Sequence, residues 1–354
     1  MSDEKFMKLA LRLARKGEGL TNPNPMVGAV LVKDNKIIGT GWHKRFGDKH
    51  AEVNAIEDAK RKGYTIEGAT LYVTLEPCSH WGKQPPCADR IIEEGISRVV
   101  IAMVDPNPLV SGRGIKKLKE AGVEVKVGVL EEEAKKLNEI FVKYITTKIP
   151  FVSIKLALTL DGFIATQNFK SKWITDEKAR GEVQKLRRRH MAIMVGANTI
   201  IQDNPRLDCR IKGCTEKFKV ILDSQGKVAD FIKKGHKLRV FENGKVIVFT
   251  KRPEKFKGIC EAYPITEPFE ILKKLGEIGI DSVLIEGGRI AGEFLNFADK
   301  LYLFYGPKIF GRGIKPFEIL KVRDINEAPK FHIEGIKRVG KSFLVTAYPG
   351  DRNV

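Results

Sequence analysis

Two apolar periods alternate along the chain. Residues 1–19 carry Phe6, Leu9 and Leu13 on one helical face. MVGAVLV (26–32) and KIIGTGW (36–42) are β-rich runs split by KDN, which predicts a hairpin. A helix is expected from His50 to about Lys62, a buried strand over 69–75, a helix over 87–95 ending at Gly95, and a strand over 98–104. GIKKLKEAG (114–122) reads as a helix and VEVKVGV (123–129) as a strand. Residues 131–147 read as one long amphipathic helix, ended by Pro150. A domain boundary is placed near 147.

The second half repeats the alternation. Strands are expected over 151–160, from 192 into a turn near 200, over 218–224 and 245–250, over 282–288, and from Lys300 to about 310. Helices are expected over 176–191, capped by Thr175 or Asp176, and over 289–297. Strand–helix alternation implies largely parallel sheets covered on both sides, in two α/β domains. The halves share no motif, so they are not an internal repeat.

Composition narrows the class. A chain of 354 residues exceeds one ordinary core, and 42% hydrophobic with 30% charged residues is globular. No run of 18 apolar residues occurs and the charged N-terminus lacks a signal-peptide core, so the expectation is a cytoplasmic protein with no membrane association. Five cysteines do not suggest a disulfide framework. Cys209, Cys214 and Cys260 read as ordinary thiols. Of the net charge of +19, residues 1–146 carry +4 and residues 147–354 carry +15. A basic half suits nucleic acid or phosphorylated small molecules, or simply a Lys-rich solvated face.

The candidate chemistry begins at HAEVNAIEDA (50–59) and continues in LEPCSHWGKQPPCADR (75–90). His50, Cys78 and Cys87 offer three zinc ligands and leave a fourth position for water. Both thiols are expected near helix starts, where the dipole favours thiolate. Glu52, two residues past His50, can take a proton from that water and return it to a leaving amine. The pattern is that of zinc deaminases of nucleobases, except that the cysteines are nine positions apart rather than three. His80 is a rival ligand within CSH. Asn24 suits a pyrimidine edge, and His43 or Lys83 a phosphate. In the second half, the EGG stretch (286–288) between strand and helix can present amides to an anion. Lys155 and Glu286 are candidate polar groups near a reacting carbon, and Arg187 and Arg210 a pair of phosphate clamps.

TNPNPMVGAVLV, GWH, HAEVNAI and TLEPCSHWGKQPPC resemble the deaminase domain of the bifunctional riboflavin-biosynthesis deaminase/reductases, where the cysteines have this longer spacing. KLALTLDGFIA, SKWIT, VGANTIIQDNPRL, LDSQGK and EGGRIAGEFL resemble the reductase domain of the same family, over about residues 1–348 in all. The resemblance implies a cytidine-deaminase-like α/β/α zinc domain (1–146) and a dihydrofolate-reductase-like α/β domain (147–354). It implies one zinc ion per chain at His50, Cys78 and Cys87, with Asn24, His43 and Lys83 contacting a phosphorylated pyrimidine. It places NADPH along Ala157, Trp173, Thr199, Asp203, Ser224, Gly288, Arg289, Ile290, Ala291, Gly292, Glu293 and Phe294. Substrate falls at Ser171, Arg187, Leu207, Arg210 and Glu286, and a homo-oligomer, dimer or tetramer, is implied. The implied reductase step is hydride transfer to C1 of the opened ribose.

Two other readings compete. A nucleic-acid base deaminase with a basic RNA-binding second domain would need an RNA-recognition motif or a row of stacking aromatics, and the second half has neither. A structural zinc module needs four protein ligands and no shuttle, which Glu52 argues against.

Overall fold

The computed structural model describes residues 2–79, 81, 85–108 and 110–350. The chain forms two compact units, Met1–Lys148 and Ile149–Val354.

The first unit has a five-stranded sheet of β1 (Gly28–Lys33), β2 (Lys36–Trp42), β3 (Thr70–Leu75), β4 (Arg98–Met103) and β5 (Glu124–Val127), in the order β2-β1-β3-β4-β5. β1 pairs antiparallel with β2 and β3, while β3, β4 and β5 run parallel. Six helices accompany it: α1 (Asp3–Ala14), α2 (Ala51–Arg61), α3 (Cys87–Glu93), α4 (Arg113–Glu120), α5 (Glu131–Leu137) and α6 (Glu139–Thr147). Strand side chains alternate between faces. Ala29, Leu31, Leu71, Val73, Val99 and Ile101 pack with residues of α2, α3 and α4. Val30, Val32, Tyr72, Val100 and Ala102 pack with α1 and α5. Three layers follow from that alternation.

The expected long helix over 131–147 is two helices. Asn138 leaves the helical path (φ −102°, ψ 22°) and its buried amide exchanges bonds with Met26: Met26 N donates to Oδ1 at 2.8 Å, and Nδ2 donates to Met26 O at 2.9 Å. A tertiary contact overrides local propensity here.

The second unit has nine strands: β6 (Phe151–Leu158), β7 (Ala192–Gly196), β8 (Phe218–Leu222), β9 (Val246–Thr250), β10 (Glu261–Pro264), β11 (Ser282–Glu286), β12 (Lys300–Tyr305), β13 (Phe331–Val339) and β14 (Ser342–Pro349). Their order is β10-β9-β8-β7-β11-β6-β12-β14-β13. All pairs are parallel except β12–β14 and β14–β13. The helices are α7 (Glu177–Arg189), α8 (Ala197–Asp203), α9 (Lys227–Lys233), α10 (Pro268–Glu277) and α11 (Gly288–Glu293). Asp176 caps α7 by accepting from Ala179 N at 2.9 Å.

The antiparallel end β13–β14 is absent from the expected elements. β12 stops at Tyr305 rather than near 310, and residues after Gly196 form α8 rather than a turn. Cys209 and Cys214, expected as free thiols, form a disulfide. Their spacing closes a short loop, which a metal-site reading of cysteines does not test for. Among the described residues no helix is long and apolar enough to cross a membrane.

Candidate active sites

In the first unit the β3 strand delivers Leu75, Glu76, Pro77 and Cys78 to one end of the sheet. His50 is the N-cap residue of α2 and Glu52 lies in its first turn. Cys87 opens α3, so only one of the two cysteines stands at a helix start; Cys78 lies in the loop after β3. The α3 dipole still reaches it, because Cys87 N donates to Cys78 Sγ at 3.3 Å. His50 Nδ1 lies 3.2 Å from Cys87 Sγ and 3.6 Å from Cys78 Sγ, and the three donor atoms lie within 4.8 Å of one another. Bonds of about 2.0–2.3 Å in a tetrahedron set ligand atoms roughly 3.3–3.8 Å apart, so this donor set fits zinc.

The local electrostatics agree. A hydrogen bond from Cys87 is the main cause holding the Cys78 thiol down to about 4, and the hydrogen bond with Cys78 carries His50 up to about 9. A dication among these atoms would replace the protons they share. Glu52 is 3% exposed, and burial pushes its carboxyl up to about 7 against the opposing charge of His50.

His50, Glu52 and Cys78 line a cavity of 380 Å³ that also draws Asn24, His43, Asp105, Asn107, Phe141 and Ile145. His43 is buried, and burial lowers its pKa. Its Nδ1 donates to Lys49 O at 3.2 Å, while Nε2 has no hydrogen-bond partner among the described residues. A neutral ring in this tautomer offers an acceptor. Such an acceptor matches an N–H or O–H group. Lys83 and His80 lie outside the described residues.

Asp105, Asn107, Phe141 and Ile145 are not among the residues expected from the sequence. Asp105 and Asn107 follow β4 at its carboxyl end, where ligands of parallel sheets bind, and that position is the available signal. Phe141 and Ile145 look like any apolar i, i+4 pair on an amphipathic helix.

In the second unit, register brings two polar residues together. Lys155 of β6 pairs with Glu286 at the end of β11, with Nζ 3.6 Å from Oε2. Arg187 from α7 grips the same carboxylate, Nε to Oε1 at 2.7 Å and Nη2 to Oε2 at 3.0 Å, and its Nη1 donates to Asp208 O at 3.0 Å. Both side chains of that pair are 11% exposed. Burial alone would raise the Glu286 carboxyl, but the charges of Arg187 and Lys155 override it and hold it down to about 2.

The two arginines of the expected clamp stand in different surroundings. Arg187 is paired with Glu286, whereas Arg210 is 69% exposed with Nε 3.6 Å from Asp208 Oδ1. Arg210 N donates to Gln184 Oε1 at 2.8 Å, and the Cys209–Cys214 disulfide closes the loop that carries it. Leu207 is buried with φ +50°, and Ser171 is half-buried.

The positions expected for the nicotinamide cofactor lie along one edge. Ala157 is near the end of β6, Thr199 and Asp203 are on α8 after β7, Ser224 follows β8, and Gly288–Phe294 follow β11. These are carboxyl ends of parallel strands, and β11 inserts between β7 and β6, a topological switch point. The exposed Trp173 lies under the Arg180 guanidinium at 4.4 Å. A Cβ at Gly288 would stand 1.8 Å from Ile164 Cδ1, so that side-chain tip would have to turn aside, while the nearest backbone atom, Pro316 Cα, lies at 3.8 Å.

Residues 150–345 match the RibD C-terminal domain, and residues 1–103 match the cytidine and deoxycytidylate deaminase zinc-binding region. The riboflavin biosynthesis protein RibD of Aquifex aeolicus is 45% identical over 97% of both chains. The chain belongs to the RibD family. A further RibD relative, from Escherichia coli, is 36% identical over 96% of this chain and 97% of its own. A crystal structure from Thermotoga maritima is 47% identical, with a TM-score of 0.90 over 98% of this chain and 99% of that one. That protein is a diaminohydroxyphosphoribosylaminopyrimidine deaminase/5-amino-6-(5-phosphoribosylamino)uracil reductase. As a RibD-family member, the chain is a bifunctional enzyme of riboflavin biosynthesis with a deaminase and a reductase domain. The reading as a base deaminase with an RNA-binding domain is set aside, because the basic half is the RibD C-terminal domain.

Proposed function

We propose that the first unit hydrolytically deaminates 2,5-diamino-6-(5-phosphoribosylamino)pyrimidin-4-one. The second unit then reduces the ribosyl chain of the product to ribityl with NADPH. The observation that carries the first half is the His50–Cys78–Cys87 donor set, whose His50 and Cys78 line one cavity together with the buried Glu52. Zinc held there supplies Lewis-acid activation of water, one ion per chain. Glu52 takes the proton as oxygen adds to the amine-bearing ring carbon, then delivers it to the departing nitrogen, so water and amine become carbonyl and ammonia. A carboxyl with pKa near neutrality does both. Asn24 and the His43 Nε2 acceptor orient the pyrimidine, and Lys83 serves the phosphate.

For the reductase, bound NADPH supplies hydride to C1 of the opened ribosyl group, as aldehyde or imine. Glu286, fixed by Arg187, holds the Lys155 ammonium in place as a donor to the heteroatom that gains charge at C1. Ser171, Leu207 and the exposed Arg210 shape the substrate side. The cofactor lies along Ala157, Trp173, Thr199, Asp203, Ser224 and Gly288–Phe294. The enzyme works in the cytoplasm as a homo-oligomer, which rests on the family resemblance. The deciding experiment supplies the diaminopyrimidine to zinc-replete enzyme and follows ammonia release and then NADPH oxidation. Turnover of NADH in preference to NADPH, or ammonia release that persists after zinc is stripped, would refute the assignment.

A further inference from the structure

Glu76 stands one residue beyond β3 and two before Cys78, and it is 5% exposed. Its carboxylate is occupied by main chain. Oε1 accepts from Gly114 N at 2.9 Å and Ile115 N at 3.2 Å. Oε2 accepts from Asp105 N at 3.1 Å and Gly112 N at 2.9 Å. A carboxylate has about four lone-pair sites, so no acceptor capacity is left over for a substrate. Gly114 shows how closely the segment is drawn in: a Cβ there would lie 2.0 Å from Pro77 O and 3.2 Å from Glu76 Oε1.

The four amides belong to one stretch, 105–115. It contributes Asp105, Asn107 and Val110 to the cavity that Cys78, His50, Glu52 and Glu76 itself also line, Glu76 with its carboxylate oxygens turned to the four amides. Within it, Asn107 N donates to Asp105 Oδ1 at 2.8 Å, so the turn that Glu76 anchors sets both residues. One side chain thus fastens a substrate-facing segment to the strand end that carries a metal ligand. Main-chain amides closing on a charged acceptor give short, stiff contacts, which is how a loop is held to sub-ångström tolerance.

We propose that Glu76 is a positioning residue for deamination: it holds the wall formed by Asp105, Asn107 and Val110 in register with the Cys78 end of β3, and so sets substrate affinity without touching the reacting atoms. This rests on the deaminase reading of the cavity, which Glu52→Gln tests separately through turnover.

The test uses the full chain with zinc content, ammonia release and reductase activity measured on each variant. Glu76→Gln keeps the shape but turns an NH2 group toward two amide donors. The expected result is one zinc per chain, a deaminase KM raised at least about tenfold, kcat changed by less than about threefold, and unchanged reduction of the deaminated substrate. Because Glu76 acts through the segment it anchors, Asn107→Ala should raise KM in the wild-type background and add little in Glu76→Gln. Glu76→Asp, with shorter reach, should give an intermediate KM and covers the case in which the glutamine variant folds poorly. A wild-type KM in either Glu76 variant, a loss confined to kcat, a loss of zinc in Glu76→Asp, or full additivity with Asn107→Ala overturns the proposal.

Discussion

Replacing Arg187 by Met keeps an unbranched side chain and removes the charge that faces Glu286. The magnitude follows from the carboxyl itself. Its pKa is held at about 2 against an ordinary 4.5. A depression of about 2.5 units corresponds to roughly 3 kcal/mol of preferential stabilisation of the charged form. Since the folded pKa lies below the unfolded one, this contribution is present above about 4.5 and fades as pH falls toward 2. With Arg187 gone, Glu286 keeps only Lys155 at 3.6 Å, and breaking a buried pair from one side costs about 3–5 kcal/mol. The sign of the linkage then reverses. Burial prevails, the carboxyl pKa rises above its unfolded value, and the cost is greatest above neutral pH and shrinks toward pH 5. Urea titration of the full chain, with amide exchange of β6 and β11 peptides read by mass spectrometry, isolates the second unit. A midpoint equal to wild type, or a loss of the same size at pH 8 and pH 5, refutes the reasoning.

Glu52→Gln should retain one zinc per chain while ammonia release falls by at least ~10²-fold, since one carboxyl serves two proton transfers; near-normal release would sink the shuttle role. Arg210→Ala should raise the reductase KM for the deaminated substrate about tenfold or more and leave NADPH affinity and deamination unchanged; weakened NADPH binding alone would move Arg210 to the cofactor. A fragment of residues 149–354 should oxidise NADPH with the deaminated substrate, and failure of the folded fragment to do so would contradict independent units. In the deaminase, Asn138→Leu should cost about 1–3 kcal/mol of stability by leaving Met26 N and O unpaired; an unchanged unfolding midpoint would refute that role for the Asn138 amide.

The residues legible in the sequence are those whose partners are close along the chain or whose chemistry is unusual. His50 and Glu52 share one helical turn, and two cysteines beside prolines after a strand point to a metal far more than to a core. Strand runs such as 151–158 declare themselves by apolar continuity. The features that stay hidden depend on distant partners. Arg187 looks like one of three arginines on a solvated helix face until β11 brings Glu286 beneath it, 99 residues away. The break at Asn138 is invisible without Met26, 112 residues earlier. The disulfide at Cys209 and Cys214 depends on the loop folding back on itself. His43 can be placed near substrate from its motif, but the Lys49 carbonyl decides whether it gives or accepts a hydrogen bond.

The match to the zinc-binding region ends at residue 103, yet the cavity is completed by Asp105, Asn107, Val110, Phe141 and Ile145. The zinc ligands and Glu52, with Asn24 and His43, are therefore written in one stretch of the polypeptide, and the remainder of the cavity wall in another. That later stretch, a loop and a helix, carries none of the three metal ligands and can be varied apart from the hydrolytic machinery. Randomising 105–110 and the cavity face of α6 is accordingly the economical route to a deaminase of altered taste, and α6 runs straight into the junction with the second unit, so any graft must carry the chain to Lys148.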